Sequence, residues 1–120
     1  MLSVTVESIG ELAVVECEGS MVQSEAAFKL REAVTSQTDA RIVVLELSEV
    51  HAIKGGGLGM LVFLRRWALD HNIRFLLFNP SKSVRDGLNR AGSISEFYIP
   101  TMDEMMALLL YADSRYALAA

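Results

Sequence analysis

The chain is 120 residues long and 52% hydrophobic, with eleven Lys and Arg against fifteen Asp and Glu for a formal charge of −4. That length and apolar content suit one domain around one core, and the acidic balance without a Lys/Arg-rich block speaks against a nucleic-acid partner. A single cysteine, Cys17, excludes an intrachain disulfide and is consistent with a reducing compartment.

From the amino terminus, Met1 to Val6 alternates like a strand and lacks the basic start and continuous apolar stretch of a secretion signal. The longest mid-chain apolar run, Leu58 to Leu64, is far short of the roughly 20 residues that cross a bilayer, so a cytoplasmic domain without direct membrane insertion is expected. Val4 to Ser8 and Leu12 to Cys17 read as a hairpin around Ile9-Gly10-Glu11, with Gly19 ending the second strand. Ser24 is expected to cap a helix over Glu25 to Thr35, where Ala26, Ala27, Leu30, Ala33 and Val34 recur at helical spacing.

After the polar loop Ser36 to Ala40, Ile42 to Leu47 is apolar on both faces, as a central strand would be. A second helix is expected from about Gly57 to His71, then a strand over Ile73 to Phe78, which makes a parallel crossover. Ser81 is placed to cap a third helix that carries Val84, Leu88 and Ala91 and stops at Gly92. Phe97 to Ile99 reads as a short final strand or extended segment. Thr101 and Glu104 have capping-box spacing for a last helix from Met102 to about Tyr111, leaving a domain over 1–112 and a tail over 113–120. Helices between strands, with a hairpin in front, imply an α/β layer fold with a mixed sheet and about four helices.

The most informative junction joins the central strand to the second helix through Ser48 to Ala52 and Ile53-Lys54-Gly55-Gly56-Gly57-Leu58-Gly59. Three consecutive glycines there remove every side chain, so the first amides of the helix would lie bare. From Ile42 to Gly92 the chain resembles a STAS domain, named for sulphate transporters and anti-sigma factor antagonists. The pattern is carried by the strand Ile42 to Leu47, Lys54-Gly55-Gly56-Gly57-Leu58-Gly59 in place of Asp-Ser-Ser/Thr-Gly-Leu-Gly, Phe75-Leu76-Leu77-Phe78-Asn79-Pro80, and Val84 to Gly92.

In the family's signalling members the first Ser of Asp-Ser-Ser-Gly is phosphorylated by a partner kinase, which switches off binding. The resemblance puts Gly55 at that position, Lys54 at the preceding Asp, Gly56 at the second Ser and Val22 where many members carry another Asp. It therefore implies a partner face without the usual phosphorylation switch, since glycine has no hydroxyl to carry the charge.

Other chemistry finds little support in the residues. The glycines could cradle an anion at a helix start, but Lys54 precedes them and no Ser or Thr follows, unlike a Walker loop. His51 and His71 stand without Cys or a second His at ligand spacing, so neither metal nor cofactor is expected; His71 suits a helix C-terminus and His51 a partner contact. Cys17 is expected to face the core, and no nucleophile, base and orienting group assemble, so the chain does not read as an enzyme. Ser81 and Ser83 fall near the glycine turn, where helix capping accounts for Ser81. Met102, Met105, Met106, Leu109 and Leu110 make the last helix apolar on several sides, read mainly as core, and Phe63 with Trp67 forms either core or, if both are exposed, a dimer or partner surface.

The expected partner face is His51, Ile53, Lys54, Gly55, Gly56, Gly57 and Leu58, flanked by Ser20, Met21, Val22 and Gln23 and by Asn79 and Ser81. The resemblance implies an anti-sigma factor, or another signalling protein, as the partner. Two alternatives remain at this point: a sensor that holds a nucleotide or other anion on the glycine turn without hydrolysing it, and a structural STAS subunit of a transport or signalling assembly.

Overall fold

The computed structural model describes residues 1–119 and the side chains of residues 1–112. Gly10, with φ at +59°, lets the chain reverse tightly between β1 (Leu2–Ile9) and β2 (Leu12–Met21), which pair antiparallel. There follow α1 (Ser24–Thr35), β3 (Ile42–Ile53), α2 (Gly56–Asp70), β4 (Arg74–Phe78), α3 (Lys82–Arg90), a short 3-10 turn (Ile94–Glu96) and α4 (Met102–Ala119). The strands lie in the order β1-β2-β3-β4, with β2, β3 and β4 parallel, so a mixed four-stranded sheet carries four α-helices among the described residues.

Alternation along the strands sorts side chains onto two faces. Ala13, Val15, Cys17, Val43, Leu45, Leu47, Phe75 and Leu77 meet Leu30 and Val34 of α1, Leu61, Leu64 and Ala68 of α2, and Val84 and Leu88 of α3 in one core. Leu12, Val44 and Leu76 face the other way, onto Met105 of α4. Full burial of a Leu such as Leu45 or Leu64 contributes about 1.5–3 kcal/mol, so the three-helix face dominates stability.

Several local expectations give way to longer-range pairing. Gly19 does not end β2: the strand runs on to Met21 because β3 itself runs past Leu47 to Ile53 and supplies partners for Gly19, Ser20 and Met21. Two register shifts, between Glu16 and Glu18 and between Gly19 and Ser20, each advance β3 by one residue and set Met21 opposite Ile53. Gln23, not Ser24, is the N-cap of α1, and no side chain bonds the freed amides there. The last helix continues to Ala119 instead of stopping near Tyr111, and the side chains of the expected tail, 113–120, lie outside the described residues.

Other local signals hold. Thr101 and Glu104 close a reciprocal box, each amide donating to the other's side chain at 2.9 and 3.1 Å. Gly92, at φ +71°, follows α3. Tyr98 bridges Leu76 in parallel, making the extended segment a minimal fifth rung. The last helix divides its apolar residues, with Met105 buried and Met102, Met106 and Leu110 exposed. Phe63 is exposed while Trp67 packs partly into the core, its ring stacked 4.5 Å from that of His71, so the condition of a jointly exposed aromatic pair is not met.

Candidate functional site

The carboxyl ends of β3 and β4 each deliver the chain into a helix, at the same end of the sheet. At the β3-to-α2 junction Gly55 occupies the N-cap with φ +38° and ψ −100° and offers no side-chain cap. The Gly57 amide donates to the Lys54 carbonyl at 2.8 Å and the Gly59 amide to Gly55 at 2.9 Å, whereas the amides of Gly55 and Gly56 find no acceptor among the described residues. Both residues are exposed, and a Cβ built on either meets nothing within 4 Å. Two donors at a positive helix end thus open onto solvent beside the exposed ammonium of Lys54.

Gly57 has a different duty. It is buried, and a Cβ there would sit 2.5 Å from the Met21 carbonyl and 3.0 Å from Ile53. The Lys54 amide donates to that same Met21 carbonyl at 3.3 Å, which ties the end of β2 to the turn. Three of the expected contact residues are therefore corrected: Met21, Ile53 and Gly57 are buried and hold the turn from beneath, because the strand register places them against one another. Leu58 is half-buried and packs on Gly87 of α3.

The flanks divide in the same way. Val22, Gln23 and Asn79 are exposed and Ser20 is half-buried. Asn79 turns the chain at φ +50°. Ser81 is committed to structure, since its hydroxyl donates to the Val50 carbonyl while accepting from the Val84 amide at 3.3 Å, and its own amide donates to Leu47. His51 is exposed but borders a hollow with Met1, Gly19 and Lys29, to the side of the turn. His71 caps the far end of α2, its Nδ1 2.8 Å from the Trp67 carbonyl.

Exposed apolar groups lie on the helices that lead away from the turn. Phe63 of α2, one turn beyond Gly59, is 44% exposed under the Arg31 guanidinium at 5.5 Å, and Phe28 of α1, one turn before Arg31, is 57% exposed. Val22, ahead of α1, is 42% exposed. Phe28 escaped the sequence reading, although its position on the wet side of α1, between Lys29 and the α1 start, was a usable signal.

Burial, with a smaller push from the Glu46 charge, raises the Cys17 thiol from 9.0 to about 12, so it stays protonated and inert near neutrality. Among the described residues no group of three His, Cys, Asp or Glu is placed to hold a metal ion, and no helix is long and apolar enough to cross a membrane.

A family model for the STAS domain matches residues 3–105. An anti-sigma factor antagonist from Mycobacterium paratuberculosis superimposes with a TM-score of 0.75 at 20% identity, over 91% of this chain and 94% of that one. The anti-sigma factor antagonist SpoIIAA in its unphosphorylated form gives 0.71 at 17% identity, over 87% and 93%. SLC26A9 gives 0.70 at 13% identity over 94% of this chain but 21% of its own length. These likenesses establish the fold. No curated protein matches in sequence.

Proposed function

The chain belongs to the STAS domain family, and from that premise we propose that it is a protein-binding module of the anti-sigma factor antagonist kind, docking a partner on the β3–α2 turn with no serine switch there. One observation carries the reading: the amides of Gly55 and Gly56 are unpartnered, exposed and clear of side chains. A partner backbone carbonyl or carboxylate can approach them directly. Lys54, which has no carboxylate partner among the described residues, offers charge complementarity to an acidic partner patch. Phe28 and Phe63 supply apolar area beside it. The partner would be an anti-sigma factor or a similar signalling protein.

A switch by phosphorylation needs a hydroxyl at the turn, and positions 54 to 57 hold none. Binding would then be constitutive, set by partner concentration, with no catalytic step.

Gly56→Glu is the informative variant. Gly56 has open space and no positive φ, so a side chain there obstructs docking without straining the turn, which Gly55→Glu at φ +38° would do. Pull-down from the host identifies the partner by mass spectrometry, and titration then compares it against wild type and Gly56→Glu. A loss of affinity of roughly tenfold or more is expected from blocking a central contact; equal dissociation constants would remove the turn from the interface. Incubation with ATP and the captured partner should leave the intact mass unchanged. Phosphate on Ser48 or near the turn would overturn the unswitched reading.

A further inference from the structure

At the opposite end of the parallel strands from the glycine turn, a cavity of about 550 Å³ opens between the sheet and α4. Its volume falls within the range of about 300–1,000 Å³ typical of small-molecule sites. Leu12, Ile42, Leu108 and Ala112 supply apolar walls, and the exposed Arg41 and Arg74 stand at the opening. The backbone holds both arginines in place. The Arg41 amide donates to Glu11 at 2.8 Å and the Arg74 amide to Arg41 at 2.9 Å, so the hairpin turn, β3 and β4 are locked together where the cavity begins.

The two guanidinium groups are not equivalent. Arg41 meets Glu11 at 3.3 Å in an exposed pair, which solvent weakens. Arg74 has no carboxylate partner among the described residues; its guanidinium lies over the Tyr98 ring, 5.8 Å from the centroid, which restrains it without neutralising it. A guanidinium restrained by a ring and without a carboxylate partner among the described residues, beside a greasy cleft, matches a carboxylate head on an apolar body, because the planar fork binds carboxylate bidentately while the body displaces water from the walls.

We propose that this cavity binds an amphipathic monoanion, an acyl chain of medium length bearing one carboxylate, with Arg74 as the head-group contact. The site lies apart from the glycine turn and does not depend on the docking reading.

The test is a titration of the full, ¹⁵N-labelled chain with sodium octanoate, with 1-octanol and sodium acetate as separate arms. Shifts should concentrate on the amides of Gly10, Ile42, Asn72 and Ala112, and octanoate should bind more tightly than either fragment of it. Arg74→Gln should weaken octanoate by roughly tenfold, the usual scale for losing a charge-assisted hydrogen bond, and leave octanol unchanged. Shifts centred instead on Phe28 and Phe63, equal affinity for octanol and octanoate, or an unaltered octanoate constant in Arg74→Gln would each overturn the proposal. Leu108→Trp, which narrows the cavity, should weaken octanoate binding. Should that variant fail to fold, Arg74→Gln, an exposed substitution, still decides.

Discussion

Two helices begin at the same end of the sheet, each after a parallel strand, and their first turns are built in opposite ways. At α3 one serine does everything a cap can do: Ser81 satisfies the Val84 amide, donates to Val50 and ties its own amide to Leu47. At α2 no side chain caps the helix, and two amides are left for solvent. A Ser, Thr, Asp or Asn cap contributes about 1 kcal/mol. The fold forgoes that contribution at Gly55 while taking it at Ser81, and this contrast supports reading the α2 start as a surface for something outside the domain. The three adjacent glycines sharpen the contrast, for only Gly57 is required by packing.

The largest effect should come from Gly57→Ala, whose methyl would collide with the Met21 carbonyl; a loss of about 2 kcal/mol in urea unfolding is expected from overpacking, net of the helix-propensity gain. A neutral result would mean that β2 can retreat from α2 and that the turn is not braced from below. Ser81→Ala should cost about 1–2 kcal/mol by removing the cap and leaving Val50 without its donor. Gly55→Ala should cost about 1 kcal/mol because φ +38° is unfavourable for any L residue. Gly56→Ala, with ordinary φ and open space, should be neutral or stabilising by a few tenths of a kcal/mol. Three neighbouring glycines would thus give three different responses, and a uniform response would erase the distinction between floor and surface.

The smallest effect is a matter of pH. The first turns of α2 and α3 contain no acidic residue, whereas that of α4 carries Asp103 and Glu104. The Thr101 amide, then the Tyr98 hydroxyl and the Thr101 hydroxyl region, hold the Glu104 carboxyl below its ordinary value of 4.5. A carboxyl lowered in the folded state stabilises that state above the ordinary value, and the contribution disappears as pH falls through the lowered one. Protection at the start of α4, the exchange rate taken relative to its intrinsic value at each pH, should therefore fall in acid while that at the start of α2, which has no acidic residue in its first turn, does not follow the same titration; Asp86, held low by its bond to Lys82, gives the start of α3 a titration of its own. If the starts of α4 and α2 loosen together, the capping box is not an independent unit.

Much of this was legible in the chain. The capping box, the Gly92 stop, the Ser81 cap and the inward Cys17 are local: each depends on a residue and its neighbours within about one turn, where backbone sterics and side-chain reach decide the outcome. The alternating and helical periods likewise separated strands from helices. Ser24 misled because Gln23 takes the cap position without any side-chain bond. Phe28 was overlooked because periodicity marks what is buried and says little about why an aromatic residue is left out.

Sequence alone determined the order of elements, the fold family and the placing of a side-chain-free turn before α2, since these follow from short-range preferences and a recognisable pattern. Tertiary structure alone decided which glycine faces water. Two bulges between β2 and β3, set by pairing across thirty residues, bring Met21 beneath Gly57 and leave Gly55 and Gly56 open. Exposure is a property of what packs against a residue, and in this turn the packing comes from a distant strand.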